Sequence, residues 1–492
     1  MRYVRFTSLS MLIAISFLVA TSSVLAQSPP ENAPAYWDWQ ARPAMGWNSW
    51  DCYGAGVNEE QTLANAEYVQ QHLKSHGYDL ITVDIQWYEP LAHTGMYRRG
   101  AELEMDAHGR LLPAPNRFPM TAQTRSFKPL ADKLHAMGLR LGVHLMRGIP
   151  RQAVDRDNVV ILGTESLKEG GIHAADIADK RNVCAWNGDM YGVDMTKPGA
   201  QEYYDSVFAL LASWEVDFVK VDDLSAPRYQ GPEVEAIRKA IDKTGRRMVL
   251  STSPGATPLS SGPSVQMNAN QWRVSNDFWD RWDALQSQFK RLADWTPYRG
   301  PGHFPDADML PVGRLEMWIN EGTATPGRDT RLTQNELYTL MNLWCIARSP
   351  LIIGADLPSN DAFTLQLLTN DELLKVNQYS TNNREFSHEG NAYIWIADAE
   401  DSNNKYVAMF NAPAEPRRGR GRRGAPAETE PAPAAEPLTI TLAMADLKLD
   451  PALKVTNVRD LWAHENQGAL PELSVTLAPH ASAIFEIQVG QK

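Results

Sequence analysis

Between about residue 40 and residue 357, short apolar or β-branched runs alternate with longer stretches whose apolar positions recur at helical spacing. The runs Ala44-Met45-Gly46-Trp47, Leu80 to Asp84, Leu139 to Leu145 and Val216 to Asp222 read as strands. So do Met248 to Ser251, Gln271 to Ser275, His303 to Asp306 and Leu351 to Gly354. Leu63, Ala66, Val69 and Leu73 mark a helix that Asn58 and Gln61 can open with a capping box and Gly77 can stop. Thr333 with Glu336 opens another helix, and Gly138 and Gly245 follow two more. Eight strands, each followed by a helix, predict a parallel (β/α)8 TIM barrel over residues 40–376. From 377 to 492 the texture changes to short runs separated by turns: Tyr393 to Ile396, Lys405 to Phe410, Leu438 to Leu442 and Ala483 to Ile487. That pattern predicts a C-terminal antiparallel β-sandwich domain. Inside it, residues 413–437 are rich in Arg, Gly, Pro, Ala and Glu, and read as a solvated loop between two strands rather than an anion or nucleic-acid site.

Composition narrows the picture. With 47 Lys+Arg against 59 Asp+Glu, the chain of 492 residues carries a net charge of −12, which argues against a nucleic-acid partner that needs a basic face. Residues 1–26 read as an export signal: Arg2 and Arg5 precede the apolar run Leu9 to Ala20, and Val24-Leu25-Ala26 offers a small-residue cleavage site. The run is short for a spanning helix, so a secreted or periplasmic protein with no membrane association is expected. The three cysteines show no metal-ligand spacing; a Cys52–Cys184 bridge is open, and Cys345 lies in an apolar helical pattern as buried filler. Nothing in the pattern sets an oligomeric state.

In a parallel barrel, reactive groups sit where strands end, at the C-terminal face. The predicted strands end in Trp47-Asn48-Ser49-Trp50-Asp51, in Asp84, in Lys220-Val221-Asp222-Asp223 and in Ser251-Thr252-Ser253; the third passes through His144. The sixth leads through Arg273 to Asp277, and the seventh delivers Asp306 and Asp308. Carboxylates gathered on one face are costly unless they serve chemistry. Glycoside cleavage with retention needs two of them about 5–5.5 Å apart, a nucleophile and a proton donor. Lys220 shares a strand face with Asp222 and can hold it ionised, as a nucleophile requires. Asp277, next to Phe278 and Trp279, is expected in an apolar setting that keeps it protonated for acid duty. His303, Asp306, Asp308 and His144 offer a second, metal-binding reading, but without paired-His spacing. A sugar-binding protein without catalysis would keep the Trp and Arg contacts yet has no need of both Asp222 and Asp277.

Five stretches occur in order: Ala44 to Trp50, Val219-Lys220-Val221-Asp222, Arg273 to Asp277, Gly300 to Leu310 and Arg348 to Leu357. Together they resemble glycoside hydrolase family 27, the α-galactosidase family of clan D, over roughly residues 40 to 490. The resemblance implies a retaining exo-glycosidase with Asp222 as nucleophile and Asp277 as acid/base. It also implies substrate contacts from Trp47, Asp84, His144, Lys220, Ser253, Arg273 and Asp308, a carbohydrate substrate, and no metal or organic cofactor. The expected reaction is hydrolysis of terminal α-D-galactosides, with β-L-arabinopyranosides or α-N-acetylgalactosaminides as alternatives.

The alternatives come from departures. Strand two in that family commonly ends in two Asp that hold O4 and O6 of galactose; here it reads Asp84-Ile85. Ile cannot accept a hydrogen bond from a hydroxymethyl group, which makes a sugar lacking C6 plausible unless Gln86 or Glu89 replaces the acceptor. His144 stands where a Tyr is usual, Ser253 and Ala256 leave room at the 2-position, and Leu224 replaces a Cys after the nucleophile. Residues 147–186 form an insertion expected to shape an outer subsite with Trp186.

Overall fold

The structure, a computed structural model, describes residues 33–93, 97–156, 158–320, 323–414 and 436–492. The expected export signal and most of the expected insert, residues 415–435, lie outside the described residues.

Eight parallel strands form one sheet: β1 (Met45–Asn48), β2 (Leu80–Val83), β3 (Arg140–Met146), β4 (Phe218–Asp222), β5 (Val249–Thr252), β6 (Gln271–Arg273), β7 (Phe304–Asp306) and β8 (Leu351–Ile353). Their order is β7-β6-β5-β4-β3-β2-β1-β8. Leu310, just past β7, closes the ring: it bridges Ile353 in parallel, its N–H donates to Ile352 O at 2.7 Å, and its carbonyl accepts from Gly354 N at 3.0 Å. The expected TIM barrel is therefore present, followed by the expected antiparallel domain.

The period of two along each strand decides what the barrel encloses. Leu80, Phe218, Val249 and Ile352 fill one end of the interior with apolar side chains. Two residues further up come Thr82, Lys220 and Ser251; two further still come Asp84, Asp222 and Ser253. The interior thus turns from apolar to polar toward the C-terminal face. Gly142 leaves room inside: a Cβ there would meet Phe218 Cδ1 at 3.2 Å.

Helices α1 (Glu59–Tyr68), α2 (Lys128–Ala136), α3 (Ala200–Ser213), α4 (Gly231–Thr244), α5 (Trp282–Trp295) and α6 (Gln334–Ile346) flank the strands. Both expected capping boxes form, Asn58 with Gln61 and Thr333 with Glu336. After Tyr68 the first helix loosens into a π turn over Val69–Leu73 before Gly77 ends it at φ +98°. Gly245 stops α4 at φ +70°.

The C-terminal strands are β9 (Ser380–Glu389), β10 (Ala392–Ala399), β11 (Lys405–Asn411), β12 (Leu438–Ala443), β13 (Leu453–Asp460), β14 (Glu472–Leu477) and β15 (Ser482–Gln491). One sheet runs β9-β10-β11-β15-β13, and β12 pairs with β14 in a second. Ile394, Val407, Ile440, Leu473 and Phe485 pack between the two. The other face of the larger sheet joins the barrel's own core through Tyr393, Trp395 and Phe410; Phe289 of α5 lies 4.6 Å from the Tyr393 ring centroid and 5.0 Å from that of Phe410. The three cysteines are free and buried, so the open Cys52–Cys184 bridge does not form; Cys52 Sγ instead lies 3.6 Å from Ser49 O. Cys345 is filler within α6, as its pattern suggested.

Candidate active site

The polar end of the interior encloses a small cavity lined by Asn48, Lys220, Ser253, Arg273 and Asp308 among others. Asp84, at the end of β2, accepts from Asn48 Nδ2 at 2.7 Å and from Lys220 Nζ at 2.9 Å, both on Oδ2. Its other oxygen accepts the Ile85 amide at 2.8 Å. Burial opposes charge on Asp84, but Lys220 and His144 outweigh it and hold the carboxyl below its usual range. Lys220 keeps its proton despite burial because Asp84 and Asp222 both face it.

Asp222 closes β4 and is buried, with His144 Nε2 3.0 Å from its Oδ2. Desolvation alone would raise its pKa; Lys220, His144 and the Ser253 hydroxyl reverse that, and the carboxyl lies well below the usual carboxylate range. A buried, ionised carboxylate at a strand end is what an attacking group requires. The turn after it is clamped. Asp223 adopts φ +63°, and the buried Arg147 binds Asp223 Oδ2 at 2.5 Å and Glu233 Oε1 at 2.8 Å, while its amide donates to Asp222 O at 2.9 Å.

Arg273 Nη2 lies 2.8 Å from Asp308 Oδ2 and 3.2 Å from Asp277 Oδ1. Asp308 Oδ2 also accepts the Phe278 amide at 2.7 Å, so this carboxylate ties the turn carrying Asp277 to the end of β7. Asp308 also lines the cavity, so it can position Arg273 and Asp277 and still face a bound ligand. Arg273 is within charge reach of Asp277, Asp308 and Asp222 together.

Two expectations need correction. Trp47 lies between the inward-facing Gly46 and Asn48, so parity turns its ring outward; it is wholly buried, with its indole N–H on Ala355 O at 2.8 Å. It packs the barrel and offers sugar no face. The ring at the mouth is Trp50, three residues on, stacked on Tyr97 (5.9 Å, 14°), which in turn leans on Trp186 (5.4 Å). Second, Asp277 has no apolar pocket: its side chain is 58% exposed beside Arg273, while Phe278 turns into the core against Trp344. The metal-binding reading also loses its His303, which packs on Trp37 and pairs with Gln266. Among the described residues, no group of three or more His, Cys, Asp or Glu is arranged to hold a metal ion, and no helix is long and apolar enough to cross a membrane.

Sequence reasoning missed Trp50, Tyr97 and Arg147 as parts of the site. Trp50 and Arg147 each lie within two residues of a strand end, and that position was the available signal. Tyr97 comes from the long β2–α2 connection, where no periodicity marks it.

The comparisons with known proteins agree with this geometry. A family model described as alpha galactosidase A matches residues 188–379, and one for the alpha galactosidase C-terminal beta sandwich domain matches residues 389–487. A β-L-arabinopyranosidase of glycoside hydrolase family 27 from Geobacillus stearothermophilus is 43% identical, over 92% of this chain and 98% of its own, with a TM-score of 0.83. This chain belongs to glycoside hydrolase family 27. Another protein of similar structure, a Bacillus halodurans protein provisionally named an α-N-acetylgalactosaminidase, is 40% identical over 91% of this chain and 97% of its own, with a TM-score of 0.76. An α-galactosidase of Oryza sativa subsp. japonica is 26% identical over 90% of this chain and 84% of its own length. As a family 27 protein the chain is a glycoside hydrolase, and its substrate is a carbohydrate.

Proposed function

We propose that this hydrolase removes terminal β-L-arabinopyranosyl groups, with retention of configuration, from oligo- or polysaccharides outside the cytoplasm. The observation that carries the choice of sugar is the end of β2. Ile85 is buried among apolar side chains and has no polar atom to offer a hydroxymethyl group. Of the two alternative acceptors, Glu89 Oε1 is engaged by Arg98 Nη1 at 2.9 Å; Gln86 Nε2 donates to Asp189 Oδ2 at 2.6 Å, and its Oε1 is buried with no hydrogen-bond partner among the described residues. β-L-Arabinopyranose matches galactose at its other ring carbons but lacks C6. The 43% identity to an arabinopyranosidase, against 26% to the rice α-galactosidase, supports the same reading.

In the proposed reaction an Asp222 oxygen attacks the anomeric carbon as the glycosidic C–O bond breaks, and Asp277 gives its proton to the leaving oxygen. Asp277 then takes a proton from water, whose oxygen displaces Asp222 from the same carbon. Asp84 and Lys220 hold ring hydroxyls, His144 stands against the nucleophile, and Ser253 and Arg273 face the 2-position. Trp50, Tyr97 and Trp186 give the next sugar flat apolar surfaces. Secretion is supported by the pattern of Arg2, Arg5, Leu9 to Ala20 and Val24-Leu25-Ala26.

A second reading, hydrolysis of terminal α-D-galactosides, is favoured by the two matching family models. Comparing kcat/KM on the 4-nitrophenyl β-L-arabinopyranoside, α-D-galactoside and α-N-acetylgalactosaminide separates the readings. The arabinopyranoside is expected to lead by about tenfold or more; equal or faster turnover of the galactoside overturns the choice of sugar.

A further inference from the structure

Seven of the eight strand ends bring a polar side chain to the site; β8 brings none. Its interior positions are Ile352, which lines the cavity, and then Gly354, two residues on and facing the same way. The space that a side chain at 354 would take is already filled. A Cβ there would collide with Asp51 Oδ2 and lie 2.7 Å from Asp51 Cγ. Asp51, three residues past the end of β1, therefore leans over the neighbouring β8 and takes the place of its missing side chain. It stands between Asp84 on the β2 side and Asp308 on the β7 side.

Asp51 is 2% exposed, and its buried Oδ2 has no hydrogen-bond partner among the described residues. A buried carboxyl oxygen left unpaired destabilises a fold, and natural chains retain one chiefly where something else completes it. Its surroundings are those of the sugar site. Burial, with Asp308 and Asp277 close by, pushes the carboxyl well above the usual carboxylate range, against the pull of Lys220 and Arg273. A carboxyl group in that state both donates and accepts, and so suits a sugar hydroxyl.

We infer that Asp51 is a further substrate-contacting residue, whose buried carboxyl exchanges a hydrogen bond with a ring hydroxyl of the terminal sugar. The inference rests on the glycosidase reading of this site but not on which sugar fills it. β1 lies across the eight-strand ring from β5, whose Ser253 faces the 2-position, so Asp51 meets the opposite edge of the pyranose. Ile85 removes a carboxylate from that edge and Asp51 restores a hydrogen-bonding group to it from the neighbouring strand.

The test compares wild type, Asp51→Asn and Asp51→Ala as full chains, by kcat/KM on the 4-nitrophenyl β-L-arabinopyranoside and α-D-galactoside and by Tm with and without free L-arabinose or D-galactose. Asp51→Ala is expected to lose about 10- to 100-fold in kcat/KM on the faster substrate, and Asp51→Asn to lose less. Both should keep or exceed the wild-type Tm without sugar, because an unpaired buried carboxyl is gone, and should lose the rise in Tm that the product sugar gives. If the Tm without sugar falls while kcat/KM per folded molecule and the sugar-induced rise persist, Asp51 is structural and the inference is wrong. If wild type answers D-galactose and not L-arabinose, the choice of pentose fails while Asp51 is scored on galactose.

Discussion

At the scale of single residues, the site works by opposing burial with charge. Lys220 is the cation between Asp84 and Asp222, and its removal should be felt by both. With Asp222 held below the usual carboxylate range, the nucleophile is ionised at neutral and mildly acidic pH, so the acid limb of kcat/KM should lie below about pH 4. In Lys220→Met, burial acts on Asp222 with less to offset it, and the limb should move to higher pH. A limb that stays in place means Lys220 does not set the charge of Asp222. Asp277→Asn should cost about 10²- to 10⁴-fold in kcat/KM on a substrate with a poor leaving group, and much less in kcat/KM with 4-nitrophenol, which leaves without a proton. Equal losses on both would remove Asp277 from the acid role. Ile85→Asp should raise the galactoside rate relative to the arabinopyranoside rate, if the missing acceptor is what selects the sugar. The residue scale is also where sequence reasoning went astray. Trp47 and Trp50 are both Trp after an apolar run, and only strand parity, fixed by Gly46 and Asn48 facing inward, separates the packing ring from the one at the mouth.

At the scale of elements, the barrel strands were legible to within two residues because each is short and largely apolar and all but β8 end in a polar group. The capping boxes were legible for a different reason: Asn58 with Gln61 and Thr333 with Glu336 each satisfy two amides at a helix start, where the helix itself offers no partner. Thr333→Ala should cost about 1 kcal/mol of stability, read as a lower denaturant midpoint with unchanged activity per folded molecule. Three sandwich strands carried no comparable signal. β9, β13 and β14 hold Asn, Arg, Lys, Ser and Glu with much of each strand half-exposed, and their apolar faces become plain only when the second sheet lies over them. The insertion after β3 folds back on itself: Met190–Val193 pairs with Ile149–Pro150 and with Ala178–Val183. Arg147 at its root is thereby fixed where it can clamp the turn after Asp222.

At the scale of the whole molecule, barrel and sandwich share a core. α5 and α6 carry the contact: Trp282 Nε1 donates to Pro413 O at 2.7 Å, and Thr339 Oγ1 donates to His480 O at 2.7 Å. His480 stacks on Trp282 with ring centroids 3.7 Å apart. Trp282→Ala, which strips the barrel side of this contact, should cost about 3–5 kcal/mol and bring the Tm down by several degrees. Calorimetry of the wild-type chain should show one transition for both parts, and two well-separated transitions would contradict a shared core. The rigid seat matters for the chemistry, because α5 follows directly on the turn that carries Asp277. The most direct test of the two-carboxylate account is the ¹H NMR spectrum of the sugar first released from 4-nitrophenyl β-L-arabinopyranoside, or from the α-D-galactoside if that is the better substrate. Retention predicts the anomer of the substrate, with the other anomer growing in only by slow mutarotation. An inverted anomer appearing first would mean that water, and not Asp222, attacks the sugar.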